Sequence, residues 1–509
     1  MGFNDLRKKK TDATGNQQVS IAGPSTTFGE VAVAQSIPVA QGDFIYGVNN
    51  QVFDTRETLG GTVAVSDGMA VLSSGTDPSG SALVQLRRGL KYRPGQGSLM
   101  RATALFSEPV SGNSQLLGLG NKETGYFIGY RDTEFGVLHR EDGTREVRKL
   151  TISVAAGSED ITIELEGDTI VVPVVGGGST TQTAYQLSLA DYTGVGSNGW
   201  LVDVVGSDVY FISTYPGPKG GTYSISSTGT GDGTFSQLIE GVASEETFIP
   251  SGSFNIDKLD GTGPSNMTLD PQKGNVYQIG FQYLGFGNAK FSIEDPLTGF
   301  QTIFHEIRNA NTRTTPVLKN PNVSVLLESS NTGGTTSKDV KTLSMSGFVE
   351  GTVRPLDPKF AKSFTFTNIN SSTYKPLAIL KANKIHNNKS CFGEFDILEL
   401  AGSNQVNNQT VTIGIFLNKQ INGNVNYQKV DDSNSIVSYA ALNPASGGNT
   451  IVSPIGTPIY ELIVGSASAK TSIISHLEFI FSTLSNVVIA IKTSGSCDGQ
   501  VSLVWYEQQ

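Results

Sequence analysis

Cysteine and histidine are scarce in this sequence. Its 509 residues include two cysteines, Cys391 and Cys497, and four histidines. Two thiols cannot build the dense disulfide framework of a small secreted domain, and neither lies in a metal-ligand spacing. The histidines also lack a paired ligand spacing; they are His139, His305, His386 and His476. The sequence therefore predicts two free thiols and no metal site.

Charge and long apolar runs are also limited. Charged residues make up 16% of the chain, and the formal net charge is -10. Nucleic-acid binding needs clustered Lys and Arg, so a nucleic acid is not an expected partner. No stretch approaches the roughly 20 apolar residues of a membrane span. The basic cluster at residues 7–10 is not followed by the apolar segment of a secretory signal. We expect a chain without a membrane span that is made and assembled in a cytoplasm.

Glycine is abundant, with 59 residues, and Ser, Thr and Asn are frequent as well. This composition is typical of many short strands joined by tight turns. Strand patterns at 82–86 and 99–106 alternate with turn dipeptides such as Asp67-Gly68, which indicates an antiparallel sandwich. A chain of 509 residues is too long for a single sandwich domain. We therefore expect a mainly β chain that contains several antiparallel β-sandwiches.

Shifts in pattern along the chain predict its domains. Residues 1–45 form an extended arm, which either stays loose or orders against a neighbouring subunit. Residues 46–352 form a β-sandwich, interrupted at about 153–248 by a small module with a short helix near 183–189. Two prolines mark 353–358 as a linker, since proline blocks regular strand pairing. Residues 359–509 form a C-terminal β domain.

Several segments resemble parts of phage and environmental-virus virion proteins. One is Leu-Lys-Tyr-Arg-Pro-Gly-Gln-Gly at 90–97, with 127–130 and 135–140; the others are 254–261, 267–277 and 293–299. Residues 161–225 are similar to modules of phage tail-fibre proteins. The resemblance covers residues 25–352 and implies a fibre, spike or capsid-decoration protein. The sandwich also resembles the concanavalin-A-like lectin architecture, which often binds glycans.

The resemblance implies a non-enzymatic structural protein, displayed on a virus particle that assembles in the host cytoplasm. Its arm would dock on other virion proteins of the capsid, neck or tail, and a symmetric homo-oligomer such as a trimer is expected. The alternative is a host-attachment protein that binds or cleaves a surface glycan.

One segment carries candidate catalytic residues. Gly-Glu-Phe-Asp-Ile-Leu-Glu at 393–399 resembles the Glu-x-Asp-x-x-Glu motif of laminarinase-like glycoside hydrolases. Carried over, Glu394 would be the nucleophile, Glu399 the acid/base, and Asp396 the residue that tunes the nucleophile. The segment lies closer to the linker than that fold requires, and the residues after Gly402 depart from the family pattern. Carboxylates on the solvent face of a strand are the alternative, and we predict no catalytic set.

Three tyrosines are candidate ligand-binding residues. Tyr210, Tyr215 and Tyr223 flank the Pro-Gly-rich loop at 216–221. A tyrosine ring on a loop can stack on a sugar, although packing around the turn is the alternative. Three aspartates in a Gly-rich segment lack the spacing of a calcium loop; they are Asp257, Asp260 and Asp270. No phosphate loop or nucleophile elbow occurs, so no cofactor is predicted.

Overall fold

Antiparallel sheets dominate the described part of the chain. The computed structural model describes residues 10–11, 17–18, 35–176, 178–351, 357–445, 447–473, 480–483 and 485–508. In these ranges, the helical elements are an eight-residue α-helix, Thr180–Leu187, and the 3-10 turn Ser251–Ser253. All other elements are strands, and the mainly β class of antiparallel sandwiches predicted from the sequence is confirmed.

Two large sheets form the first sandwich. The back sheet has seven strands, in the order Glu245–Pro250, Glu134–Glu141, Gly125–Arg131, Asn113–Gly120, Ser324–Asn331, Ser81–Leu86 and Phe53–Thr58. The front sheet has nine strands. Seven follow the order Gln301–Ile307, Ala289–Glu294, Asn275–Gln282, Gly97–Phe106, Asp339–Thr342, Met69–Ser73 and Thr62–Ser66, while Ser344–Glu350 pairs with both Gly97–Phe106 and Ser36–Asp43.

Alternating side chains build the core between these two sheets. In the strand Gly97–Phe106, Met100 and Phe106 are buried whereas Arg101 is exposed, as the period of two in the sequence predicts. The Phe106 ring meets the rings of Tyr130 and Tyr277 edge-on, with centroids 5.9 Å apart in each pair. Aromatic residues of the two sheets thus form one contiguous apolar layer.

The predicted arm overlaps this sandwich. Most of residues 1–45 lie outside the described residues, but Ser36–Asp43 is a strand of the front sheet, in register with Ser344–Glu350. The short strands Lys10–Thr11 and Gln17–Gln18 pair with each other. The arm boundary at residue 45 is therefore wrong for 36–43, because the sparse apolar residues there suffice for a strand on an outer edge.

The inserted module contains two small sheets and the α-helix. One sheet has the order Trp200–Val205, Asp208–Pro216, Arg145–Val154 and Asp232–Ile239, and the other Asp168–Val174, Glu159–Leu165 and Ser224–Ser227. The helix begins after Ser179, whose hydroxyl accepts a hydrogen bond from the Gln182 amide. The predicted module boundary at about residue 153 assigns most of Arg145–Val154 to the sandwich, but this strand pairs inside the module. Glu245–Pro250, predicted partly inside the module, pairs in the back sheet. Periodicity identifies a strand and does not specify its partner.

The C-terminal part is a second pair of sheets. The first has the order Lys359–Ile369, Cys497–Gln508, Glu394–Asn404 and Ala469–Ile473, with Ile480–Ser482 also paired to Glu394–Asn404. The second has the order Gln428–Lys429, Val437–Ala441, Lys375–Ala382, Asn486–Thr493, Val411–Leu417 and Tyr460–Val464. Two short hairpin pairs, Ile385–His386 with Lys389–Ser390 and Ile421–Asn422 with Thr450–Ile451, complete it. The division of the chain into domains stays a prediction, as does the linker, of which 353–356 lie outside the described residues.

The module and the C-terminal sheets share one hydrophobic core. Val204 and Tyr185 of the module belong to the same buried cluster as Ile379 and Val488. The Tyr185 hydroxyl donates to the Ile421 carbonyl at 2.9 Å. Apolar surface of the module is thus removed from water by residues more than 150 positions further along the chain.

A buried ion pair lies at the same contact. Asp203 of the module faces Lys381, whose ammonium group also donates to the Val204 carbonyl at 2.8 Å. The Lys384 amide donates to the second Asp203 oxygen at 2.7 Å. Burial raises the pKa of Asp203, but the charges of Lys381 and Lys384 outweigh it and hold that pKa below its ordinary value. The carboxylate is therefore ionised, and both of its oxygens accept hydrogen bonds.

Candidate functional site

The three predicted ligand-binding tyrosines make packing contacts. All are half-buried. The Tyr215 hydroxyl is 3.2 Å from Ser81 Oγ, and Lys122 Nζ lies 4.2 Å from the centroid of its ring. The Arg148 guanidinium covers the Tyr223 ring at 4.2 Å.

The Tyr210 hydroxyl donates to Asp208 at 3.5 Å, and burial raises the pKa of Tyr210. Burial also raises the pKa of Tyr223, to about 12. These contacts support the packing alternative, while a role in ligand binding stays a prediction.

The three candidate catalytic carboxylates lie on the strand Glu394–Asn404, which has a bulge between Ile397 and Glu399. Glu394 is 2% exposed; its Oε1 accepts a hydrogen bond from the Gly89 amide at 2.8 Å and lies 3.6 Å from Lys91 Nζ. Asp396 is fully buried, and Glu399 is half-buried. The alternative interpretation, in which Glu394 and Asp396 lie on the solvent face of a strand, is wrong. The Glu394 carboxylate contacts Gly89 and Lys91 of the first sandwich and is almost completely buried, so its position does not favour catalysis.

Three depressions adjoin one another on the surface between the first sandwich and the C-terminal sheets, and we call the three together the groove. The first, which contains Tyr46, is the Tyr46 end. It shares Gln41 and Val52 with the second depression, the middle. The middle shares Arg87 and Glu394 with the third depression, which we call the cationic end.

The Tyr46 end presents an aromatic ring to solvent. Tyr46 is 100% exposed and follows the front-sheet strand Ser36–Asp43. Phe44 anchors this turn: it is fully buried and stacks on Phe53 with ring centroids 4.3 Å apart. Gly47 follows with φ +106°, a left-handed conformation that favours glycine. The turn is therefore fixed from below while its tyrosine stays open.

Polar groups surround this ring. The depression is lined by exposed side chains of Gln41, Asp43 and Asn49 and by half-buried Ser344 and Ser346. Asp43 Oδ1 accepts a hydrogen bond from the Ile45 amide at 3.1 Å, and Asn49 Oδ1 accepts one from the Gln51 amide at 2.9 Å. Carboxylate and amide groups are therefore oriented beside an open ring, which suits a ligand that is both apolar and rich in hydroxyls.

The middle of the groove has walls from two parts of the chain. Residues 38–41 and 86–88 come from the first sandwich, and Leu417, Ile459 and 480–482 come from the C-terminal sheets. The Arg88 guanidinium donates to the Val39 carbonyl at 2.9 Å. This contact fixes the position of one wall, which also includes Arg87.

The cationic end collects basic side chains from distant positions. Its cavity is narrow, with a volume of about 70 Å³. Glu394 is the one carboxylate among the described residues that line it. Five basic side chains line it: Arg56, Arg87, Lys91, Arg145 and Lys384. Basic side chains therefore outnumber carboxylates on the lining itself.

Carboxylates behind the lining orient these cations. Asp54 lies 3.3 Å from Arg56 Nε and 3.6 Å from Arg87 Nη2. Glu123 Oε1 lies 3.3 Å from Arg145 Nε, without the alignment of a hydrogen bond, and accepts one from Ser390 Oγ at 3.0 Å. Burial lowers the pKa of Arg145, although Glu123 acts to raise it.

Among the described residues, no group of three or more His, Cys, Asp or Glu side chains is arranged to hold a metal ion. No helix in the same ranges has the length and apolar character needed to cross a membrane.

Comparisons with known proteins give likenesses of structure. No family model matches the chain, and no curated protein matches it. The carbohydrate recognition domain of Emp47p is similar at 9% identity, with 62% of this chain and 97% of that chain covered and a TM-score of 0.25. The exoplasmic/lumenal domain of VIP36, in a form bound to Ca²⁺ and Man3GlcNAc, is similar at 9% identity, with 62% and 89% covered and a TM-score of 0.24. Lectin I-B4 from Griffonia simplicifolia is similar at 12% identity, with 62% and 99% covered and a TM-score of 0.23. These identities and scores leave the function to be inferred from the groove itself.

Proposed function

We propose that the chain is a glycan-binding protein that holds an extended saccharide in the groove. The observation that carries the proposal is the fully exposed Tyr46 ring beside oriented polar groups at the end of that groove. A sugar ring has a face of C–H groups, which packs on an aromatic ring, and a rim of hydroxyls, which pair with carboxylate and amide groups. Concave sites with a few oriented polar groups are typical ligand sites.

The exposure of Tyr46 supports this role on energetic grounds. The adjacent Ile45 is 58% exposed, so the turn presents a small apolar patch to water. Burying apolar area stabilises by roughly 25 cal/mol per Å². A side chain that stays open although its neighbour Phe44 is fully buried gains that stabilisation when a ligand covers it.

The test is a panel of immobilised glycans, followed by calorimetry with the best binder. Tyr46→Ala is expected to weaken binding about tenfold, or about 1.4 kcal/mol, because the stacking surface is lost. Phe300→Ala is the matched control: Phe300 is 76% exposed and does not line the groove. Retention of no glycan on the panel, or equal affinity of the Tyr46 and Phe300 variants, would overturn the proposal.

A place on a virus particle is a second, separate proposal. It rests on the resemblance of residues 25–352 to virion proteins, and a glycan-binding groove is compatible with host attachment by a displayed protein. Virion partners, a homo-oligomer and a virion location stay predictions. Cryo-electron microscopy of purified particles tests them, because ordered copies of this chain at symmetry positions would establish the structural role. Particles that lack the chain would leave a glycan-binding protein without a virion role.

A further inference from the structure

We infer that the groove takes an acidic saccharide, whose carboxylate or sulfate groups lie at the cationic end. This inference rests on the proposed glycan binding and adds the chemical class of the ligand. It starts from the imbalance of charge among the lining residues, five basic side chains against Glu394. Asp54 and Glu123, which lie behind the lining, reduce this imbalance to five positive charges against three negative ones. The remaining positive charge favours the binding of an anion.

Arg145 supplies a second observation. It is 6% exposed, and its Nε–H has no hydrogen-bond acceptor among the described residues. A buried guanidinium with an unmatched donor is costly, and charge-assisted bonds to carboxylate or sulfate oxygens are strong. Glu123 Oε1 already lies 3.3 Å from this Nε atom, so an anion in the cavity would add an acceptor to a charge that is in part compensated.

The neighbouring lysines have donors to offer. Lys384 Nζ donates to the Val202 carbonyl at 3.0 Å, which uses one of its three N–H donors. Lys91 Nζ donates to the Phe392 carbonyl and lies 3.6 Å from Glu394 Oε1. Each ammonium group is thus held in position by the protein while part of its donor capacity remains for a ligand.

The row of depressions favours a saccharide over a small free anion. The middle adjoins both ends, because it shares Arg87 with the cationic end and Gln41 with the Tyr46 end. A chain of sugars that stacks on Tyr46 reaches the cations only if it is extended, and acidic polysaccharides carry charges at repeated positions along such a chain. A single anion would fill one end and leave Tyr46 uncovered.

The experiment compares matched ligands. Oligogalacturonate is measured against its methyl ester, and dextran sulfate against dextran, by calorimetry at low and high salt. At low salt, each acidic ligand is expected to bind at least tenfold more tightly than its neutral counterpart. This difference in affinity becomes smaller at high salt, because salt screens the charges. The two acidic probes distinguish carboxylate from sulfate.

Variants place the effect at the cationic end. Lys384→Gln and Arg145→Gln are expected to lower affinity for the acidic member about fivefold more than they lower affinity for the neutral member. Lys290→Gln, at an exposed position on the front sheet, is the control and should change neither. Lys384→Gln keeps the test valid if Arg145→Gln unfolds, which circular dichroism would show.

The outcomes separate this inference from the proposed function. Equal binding of neutral and acidic saccharides, with loss in Tyr46→Ala, would overturn the acidic class and leave glycan binding in place. Failure of every saccharide would overturn both. Binding of single-stranded DNA that is sensitive to Lys384→Gln, without any saccharide binding, would also overturn the saccharide class.

Discussion

Asp203→Ala is expected to lower the free energy of unfolding by about 3 to 5 kcal/mol, because it leaves the Lys381 ammonium buried without its counter-charge. Asp203 is 3% exposed and ties the module to the C-terminal sheets. The measurement is thermal and urea unfolding of the whole chain. Burial also lowers the pKa of Lys381, because the charged ammonium group loses its hydration.

The control for this variant is Asp160→Ala, at an exposed position of the same module. Its expected change in the free energy of unfolding is within about 0.5 kcal/mol.

The pKa of Asp203 is held below its ordinary value of 3.8. The contribution of Asp203 to stability is therefore fully present above pH 3.8 and is lost as the pH falls through the pKa of the folded state. The gap in melting temperature between the natural chain and the Asp203 variant should stay constant from neutral pH to about pH 5 and close in stronger acid. A gap that is absent at neutral pH would contradict the role assigned to this pair.

Phe106→Ala is expected to cost about 3 to 5 kcal/mol of stability, since it removes a fully buried ring from the centre of the first sandwich. The ring also loses its edge contacts with Tyr130, Phe135 and Tyr277, and such contacts contribute beyond the buried area. Unfolding monitored by near-ultraviolet circular dichroism checks this.

Phe300→Ala serves as the control for Phe106→Ala, because its ring is mostly in solvent. Equal melting temperatures of the two variants would mean that the apolar layer between the front and back sheets tolerates a large cavity.

Much of the fold could be predicted from local sequence. The apolar run at 487–491 predicts a buried strand, and the structure buries Val487–Ile491 within Asn486–Thr493. The alternation at 98–106 predicts the outward position of Arg101, which is confirmed. The pairing of Arg145–Val154 could not be predicted in this way. Its partners are set by tertiary packing, and local periodicity carries no information about them.

The groove could not be predicted from the sequence. Tyr46 follows an apolar residue and precedes a glycine, so the sequence shows an aromatic residue next to a turn. Its exposure depends on Phe44 packing beneath it, which is a property of the folded chain. The cationic end gathers residues from positions 56 to 384, and one sequence does not show that such distant side chains meet. The tyrosines chosen for their loop, by contrast, pack against Lys122, Arg148 and Asp208.

The core shared by the module and the C-terminal sheets has a consequence for biosynthesis. When the ribosome has made residues 145–240, the strands that will cover Val204 and Tyr185 have not yet been translated. Until residues 379–490 emerge, the nascent module must carry an exposed apolar face, which is a target for chaperones and a risk for aggregation. A chain released early, at residue 358, would keep that face open permanently. A truncated chain that contains only the first sandwich and its module is therefore expected to need the C-terminal sheets, supplied as a second, coexpressed polypeptide.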